Sequence, residues 1–249
     1  MERIVTYASN RLDGLERVAK SAPSVFVTTP LDEDAAWGLA YRQGDEVLTK
    51  KRPLRAGAAL DLDELLRDAQ TDRAFLHLGQ PMPRGFSRDE VGPHRFEHLA
   101  FSCIGASSMG VTGDGDVLEA YGFLAQGTPA QRLFAHLLTL LDRGGGSAET
   151  TPAQVRAAFR ELHARAGSES FGAVFGNSRR SYVYARGMDL AFQHRDEPVG
   201  SPHAAEPPFR AVVLALGDLT GLPEDFRRAP SRDVFGVVEF DGALELGEA

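Results

Sequence analysis

Short apolar stretches rich in β-branched and aromatic residues recur up to residue 104 and again from residue 171. Stretches of this length and composition, bounded by glycine, proline and polar residues, are typical of β-strands. Two of them flank Gln43-Gly44-Asp45, which predicts a hairpin with a short turn. The predicted strands cover residues 4–7, 37–41, 46–50, 73–78, 99–104, 171–175, 181–185, 190–193, 211–216 and 234–240.

The middle of the chain has a helical pattern instead. Thr128-Pro129 and Thr151-Pro152 each combine a capping threonine with a proline in the first turn, so each predicts the start of a helix. Shorter helices are predicted over residues 11–20 and 61–70, where leucines recur at helical spacing. The order of strands, two helices and further strands favours an α+β layered sandwich over a doubly wound sheet. No linker interrupts it, so we expect one domain over residues 1–249.

Composition narrows the function classes. The 249 residues are 43% hydrophobic and 25% charged, enough for a substantial core. A net charge of -8 argues against nucleic acid and anionic membranes as partners and favours another protein, with a homo-oligomer left open. The chain lacks a secretory signal pattern and an apolar stretch near 18 residues, so we expect a cytoplasmic protein. The single cysteine, Cys103, excludes an internal disulfide framework.

Two local features could carry chemistry. His94 and His98 fit the pattern H-x-x-E-H, which would place two zinc ligands on one face if the segment were helical. The other interpretation is a loop entering a strand with partly exposed histidines. Cys103 lies in an apolar run, where a cysteine is usually an inert core residue, although a nucleophilic role stays open.

Several segments, in order, resemble class II glutamine amidotransferases, particularly the single-domain γ-glutamyl amidohydrolase branch. The family's Ala-His-Ile-Arg-Gln is similar to Leu76-His77-Leu78-Gly79-Gln80, and its Ala-His-Asn-Gly to Phe101-Ser102-Cys103-Ile104. The resemblance implies the four-layer αββα sandwich of amino-terminal nucleophile hydrolases. The other matching segments are residues 1–7, 35–38, 93–96, 127–129 and 218–220.

The same resemblance shows where this chain departs from the family. The nucleophilic cysteine that follows the initiator methionine is replaced by Glu2, and a carboxylate is a poor nucleophile towards an amide. The arginine that holds the substrate carboxylate falls on Gly79. The oxyanion pair falls on Cys103-Ile104, and losing one oxyanion donor costs about 10²–10³ in rate. The aspartate for the substrate ammonium falls on Pro129.

These departures predict a catalytically inactive relative that acts as a binding or regulatory subunit, with no cofactor. Its cleft would lie near Trp37, His77, His94 and Thr128. Two alternatives stay open. One is a hydrolase with relocated chemistry, in which Cys103 is the nucleophile and His77 or His94 the base. The other is a zinc hydrolase on His94 and His98.

Overall fold

A computed structural model of the chain describes residues 2–26, 31–82, 85–106, 115–123, 127–143, 150–166, 169–177, 179–196 and 208–249. The strands are β1 (Arg3–Ser9), β2 (Ala35–Gln43), β3 (Glu46–Leu54), β4 (Arg73–Pro81), β5 (His94–Phe96), β6 (Leu99–Ile104), β7 (Phe171–Gly176), β8 (Arg180–Arg186), β9 (Leu190–Asp196), β10 (Arg210–Gly217), β11 (Arg227–Arg228), β12 (Val234–Glu239) and β13 (Leu244–Glu248). The helices are α1 (Gly14–Ser21), α2 (Pro23–Phe26), α3 (Leu62–Leu66), α4 (Gly115–Ala120), α5 (Pro129–Arg143) and α6 (Pro152–Ala166).

The described strands form two antiparallel sheets. Sheet A has the order β11-β9-β10-β1-β4-β2-β3, and sheet B has the order β13-β12-β8-β7-β6-β5. Strand β1 lies inside sheet A, antiparallel to both β10 and β4. All seven of its residues are buried, because both faces of the sheet are covered.

Three apolar layers hold the elements together. Successive side chains of a strand point to opposite faces, so Val5 and Tyr7 pack against α1 to α3 while Ile4 and Ala8 enter the layer between the sheets. In the same way, Phe101 of β6 packs against α5 and α6. The layers are therefore helices, sheet A, sheet B and helices, which confirms the predicted α+β, four-layer αββα sandwich.

The two long helices begin with the same four residues, Thr-Pro-Ala-Gln. The backbone N–H of Gln131 donates to Thr128 Oγ1, and the N–H of Thr128 donates to Gln131 Oε1 at 2.7 Å. Thr151 and Gln154 repeat both contacts at the start of α6. Each pair satisfies two backbone donors that the first turn leaves unpaired, so the predicted helix starts at 128 and 151 are confirmed.

Local boundaries differ from the sequence prediction in several places. The first helix begins at Gly14 and not at residue 11. The helix predicted over 61–70 ends at Leu66, because Arg67 leaves the helical conformation with a ψ of 123° and Asp68 has a φ of 65°. The short strands β5 and β11 and the helices α2 and α4 have too few residues to show a period in the sequence. Strand β13 was not predicted either, although its leucines alternate with other residues. In the described part of the chain, no helix has the length and apolar character needed to span a membrane.

Candidate ligand-binding cleft

A cleft of about 530 Å³ opens at one end of the sandwich, where several elements end or begin. Glu2 enters it just before β1, and His77 and Gln80 enter it from β4. The wall on the side of sheet B comes from the β5–β6 hairpin and from the first residues of α5. The remaining described lining residues are Pro81, Met82, Gly85, Ser87, Glu90, Val91, Gly92, His94, Ser102, Cys103, Gly105, Ala106, Gly127, Thr128, Pro129, Ala130 and Arg132.

A chain of hydrogen bonds joins the two sheets at the floor of this cleft. His77 Nδ1 lies 2.6 Å from Ser102 Oγ, and His77 Nε2 lies 2.8 Å from Glu2 Oε1. His77 points between the sheets because its neighbours Leu76 and Leu78 occupy the helical face of sheet A. Ser102 points to the same layer because Cys103 packs towards α5 and α6.

An ionised Glu2 determines the direction of one of these two hydrogen bonds. A carboxylate only accepts hydrogen bonds, so Nε2–H of His77 donates to Glu2. At Nδ1 a neutral ring accepts from the Ser102 hydroxyl, whereas an imidazolium ring donates to Ser102 Oγ. In either form the ring is oriented so that Nε2–H supports Glu2, in the way a second group orients a functional histidine.

Exposure to solvent rises along this hydrogen-bonded series, from Ser102 through His77 to Glu2. Ser102 is 1% exposed, the His77 side chain is 4% exposed and the Glu2 side chain is 28% exposed. Glu2 is therefore the member most open to the cleft, and the two buried members hold it.

The backbone next to Glu2 is fixed by Arg3, which is 2% exposed. Its guanidinium donates to four backbone carbonyls, those of Ser24, Val25, Asp218 and Thr220. Burial lowers the pKa of Arg3, and the nearby Asp218 carboxylate opposes that shift. These contacts tie α2 and the 218–220 turn to the start of β1. The backbone at position 2 is therefore fixed by the residue that follows it.

Two buried glutamines hold segment 85–92 over the cleft. The Gln80 amide accepts from the N–H of Gly92 at 2.7 Å and donates to the carbonyl of the same residue at 2.9 Å. Gln131 Nε2 donates to the carbonyl of Asp89 at 2.8 Å. Gly92 lies so close that a Cβ there would meet Ser102 Oγ at 3.2 Å and His77 Nδ1 at 3.5 Å.

His94 and Cys103 are buried and uncharged in this cleft. Burial lowers the pKa of His94 to about 3, with further lowering from Lys51 and His77, and its Nε2 has no hydrogen-bond partner among the described residues. Burial also raises the pKa of the Cys103 thiol, and the Glu2 carboxylate raises it further. Cys103 is thus a neutral thiol, opposite to the thiolate that a nucleophile needs.

The structure brings Glu2, His77, His94, Cys103, Thr128 and Pro129 together around one cleft. The placement of Trp37 near it is wrong. Trp37 is 2% exposed and packs with Leu39 on the helical face of sheet A. Gly79 has a φ of 72° and is not part of the described lining. Ile104 packs against the layer between the sheets.

The helical premise of the zinc site is also wrong. His94 lies on strand β5, and a turn at Glu97, with a φ of 51°, separates it from His98. The expectation of a partly exposed His94 is wrong as well, because it is 2% exposed. Over the residues that the structure covers, no group of three histidine, cysteine, aspartate or glutamate side chains could hold a metal ion.

Sequence reasoning did not assign roles to Ser102, Gln80 or Gln131. The repeated Thr-Pro-Ala-Gln was the signal available for Gln131, because glutamine three residues after a capping threonine closes a capping box. The Ser102–His77 contact joins strands of different sheets, so no local sequence pattern predicts it.

Comparison with solved structures supports the family resemblance at the level of fold. A predicted glutamine amidotransferase from Pseudomonas aeruginosa superposes with a TM-score of 0.60 at 13% identity, covering 97% of this chain and 98% of that one. A glutamine aminotransferase class-II domain protein from Silicibacter pomeroyi gives a TM-score of 0.52 at 12% identity, covering 99% and 98%. No protein-family model and no curated protein matches the sequence.

A larger enzyme contains the same unit. The glutamine phosphoribosylpyrophosphate amidotransferase of B. subtilis gives a TM-score of 0.53 at 13% identity, with 99% of this chain covered. The chain spans 49% of the length of that enzyme. The chain therefore has a class II glutamine amidotransferase-like fold, of the amino-terminal nucleophile hydrolase type that the sequence predicted.

Proposed function

We propose that this chain is a binding or regulatory protein built on the amidotransferase fold, with the glutamine-hydrolysing chemistry lost. The observation that carries the proposal is the 2.8 Å contact between Glu2 Oε1 and His77 Nε2. It ties the group at the nucleophile position into a hydrogen-bond chain as a carboxylate. A carboxylate held in this way anchors a ligand and does not attack an amide.

The proposed ligand is a small molecule with an ammonium or another strong hydrogen-bond donor. His77 occupies one oxygen of Glu2, so the second oxygen is available to the cleft. Charge-assisted hydrogen bonds of this kind are about twice as strong as neutral ones. Glutamine fits poorly, because Gly79 cannot pair with its α-carboxylate, which would lie close to the Glu2 carboxylate if Glu2 held the neighbouring ammonium.

The hydrogen-bonded series Ser102–His77–Glu2 suggests a serine hydrolase as a second candidate function, because it joins a serine, a histidine and an acid. The order of exposure disfavours it. A nucleophilic serine has to meet the substrate, yet Ser102 is 1% exposed and lies under Gly92. The exposed end of the series is the acid.

The two alternatives raised by the sequence gain no support. A nucleophilic Cys103 needs a neighbouring base, but both ring nitrogens of His77 are engaged by Glu2 and Ser102. The other candidate base, His94, is weak because burial lowers its pKa to about 3. The proposed zinc site on His94 and His98 required a helix, but His94 lies on strand β5. A protein partner, a homo-oligomer and a cytoplasmic location stay predictions from the net charge and the amino-terminal pattern.

Assays with glutamine test whether the glutamine-hydrolysing activity is lost. We expect neither ammonia release from glutamine nor micromolar binding of glutamine or glutamate by calorimetry. Glu2→Cys is the informative variant, because it restores a thiol at position 2 without restoring either recognition group. We expect it to release no ammonia. Hydrolysis by the unaltered protein would contradict the loss of chemistry, and hydrolysis by the variant would contradict the loss of recognition.

Matched small probes test the ligand class. In protein with 15N-labelled histidine, n-propylammonium should shift the ring signals of His77 and propionate should not. Glu2→Gln keeps the size of the side chain and removes its charge, so it should abolish the ammonium response. An equal response to propionate, or an unchanged response in the variant, would refute the role of Glu2. A fluorophosphonate probe should leave Ser102 unlabelled, and labelling would favour the hydrolase.

A further inference from the structure

A second small cavity lies between the sheets at the other end of β4. Arg73 and His77 share the inner face of β4, and Phe75 stands between them. The cavity has a volume of about 20 Å³, and Phe75, Arg73, Gly176 and Ser181 are among the residues that line it. About 10–15 Å³ is the least that one water-sized occupant needs.

The polar groups at this cavity lack partners. Arg73 is 3% exposed, and its Nε and Nη2 have no hydrogen-bond partner among the described residues. Only a long contact of 3.4 Å joins its Nη1 to the carbonyl of Asn177. Ser181 Oγ is likewise buried without a partner in that part of the chain. Buried donors left unpaired are costly, so each needs an explanation.

The charges around Arg73 do not balance. Two carboxylates influence it, Asp72 and Glu239. Asp72 is already paired with Arg42 at 3.2 Å, and Glu239 is paired with Arg180 at 2.7 Å. Among the described residues, three guanidinium groups therefore share two carboxylates, and the buried Arg73 is the one that has no ion pair of its own.

We infer that this cavity binds a monovalent anion of chloride size, held by Nε–H and Nη2–H of Arg73 and by the hydroxyl of Ser181. An anion accepts from all three donors and supplies the missing negative charge. A water molecule would bring two hydrogens of its own, and Ser181 Oγ is the one side-chain acceptor without a partner in the described lining. Asp72 Oδ1, another buried oxygen without a partner in the described residues, does not line the cavity.

Thermal unfolding at constant ionic strength tests the site. Sodium chloride is exchanged for sodium gluconate, whose anion is too large for the cavity. At ten times the dissociation constant, chloride should raise Tm by about 3–6 °C, from the mass-action relation and the size of the chain. Bromide should act in the same way and give an anomalous scattering peak beside Arg73 and Ser181 in a crystal.

Variants separate this site from a general salt effect. Ser181→Ala removes one donor and should weaken the affinity for chloride about fivefold, which roughly halves the rise in Tm at the same chloride concentration. Arg73→Met should abolish it, and Arg52→Met, at an exposed ion pair, should leave it intact. If Arg73→Met does not fold, Ser181→Ala and the bromide peak still decide. A Tm independent of chloride with no bromide peak would overturn the proposal, and water would then be the occupant.

Discussion

The buried His94 should make the protein sensitive to mild acid. Its imidazole is 2% exposed, and its ring meets Phe123 edge-on with 6.4 Å between the ring centres. Burial is the main cause that lowers its pKa from 6.5 to about 3. The folded state therefore resists protonation over a range of pH in which the unfolded chain accepts a proton.

The sign and size of the effect follow from linkage. Between pH 6.5 and about 3 the unfolded state binds more protons at this position, so the free energy of unfolding falls as the pH falls. At pH 5 the loss is about 2 kcal/mol relative to neutral pH, since one pKa unit corresponds to about 1.4 kcal/mol. A loss of this size is a large fraction of the stability of most domains.

Urea unfolding of the protein and of His94→Gln at pH 7 and pH 5 measures this term. The variant should be less stable at pH 7, because it loses packing, and this deficit should shrink by about 2 kcal/mol at pH 5. Phe26→Leu is the control. It removes buried packing in the layer between sheet A and α1 to α3, away from His94, so its deficit should be equal at both pH values. A deficit of His94→Gln that does not change with pH would refute the assignment.

Two further substitutions test the frame of the cleft. Gly79→Arg supplies the family's residue type at a φ of 72°. It should lower the free energy of unfolding by about 1–2 kcal/mol in urea titrations without creating glutamine binding in calorimetry, and micromolar glutamine binding would contradict this. Gln131→Ala removes a cap and the contact to Asp89, so it should cost about 1–2 kcal/mol and change the response to n-propylammonium. Gln154→Ala removes the matching cap of α6 and should leave that response unchanged, and equal effects of both variants would count against the frame.

The central strands could be predicted from the sequence because their residues are apolar on both faces. Strand β1 and its neighbours β4 and β10 are buried on either side, so continuous apolar runs marked them clearly. Strand β5, in contrast, could not be predicted from the sequence. It has three residues, and a pattern of that length carries no period.

Trp37 shows what a family resemblance can and cannot place. The resemblance put the right segment near the cleft, but side chains alternate along a strand. Trp37 and Leu39 therefore share the helical face, and Gly38 faces the cleft side. A Cβ on Gly38 would meet the carbonyl oxygen of Gly92 at 2.0 Å, so only glycine fits there.

The hydrogen-bond chain at the cleft floor lay beyond local sequence patterns. Ser102 and His77 belong to different sheets, and their meeting depends on how the sheets stack. The family resemblance predicted that Glu2 replaces the nucleophile. It did not predict that Glu2 has a partner of its own, His77.

The four carbonyl contacts of Arg3 make position 2 a useful point for protein engineering. The backbone there is fixed by the residue next to it, so exchanging the side chain at position 2 leaves those contacts in place. A fluorescent or metal-chelating amino acid installed there would report directly on whatever enters the cleft. The same position could carry a designed reactive group, because the fold already forms a cleft around it.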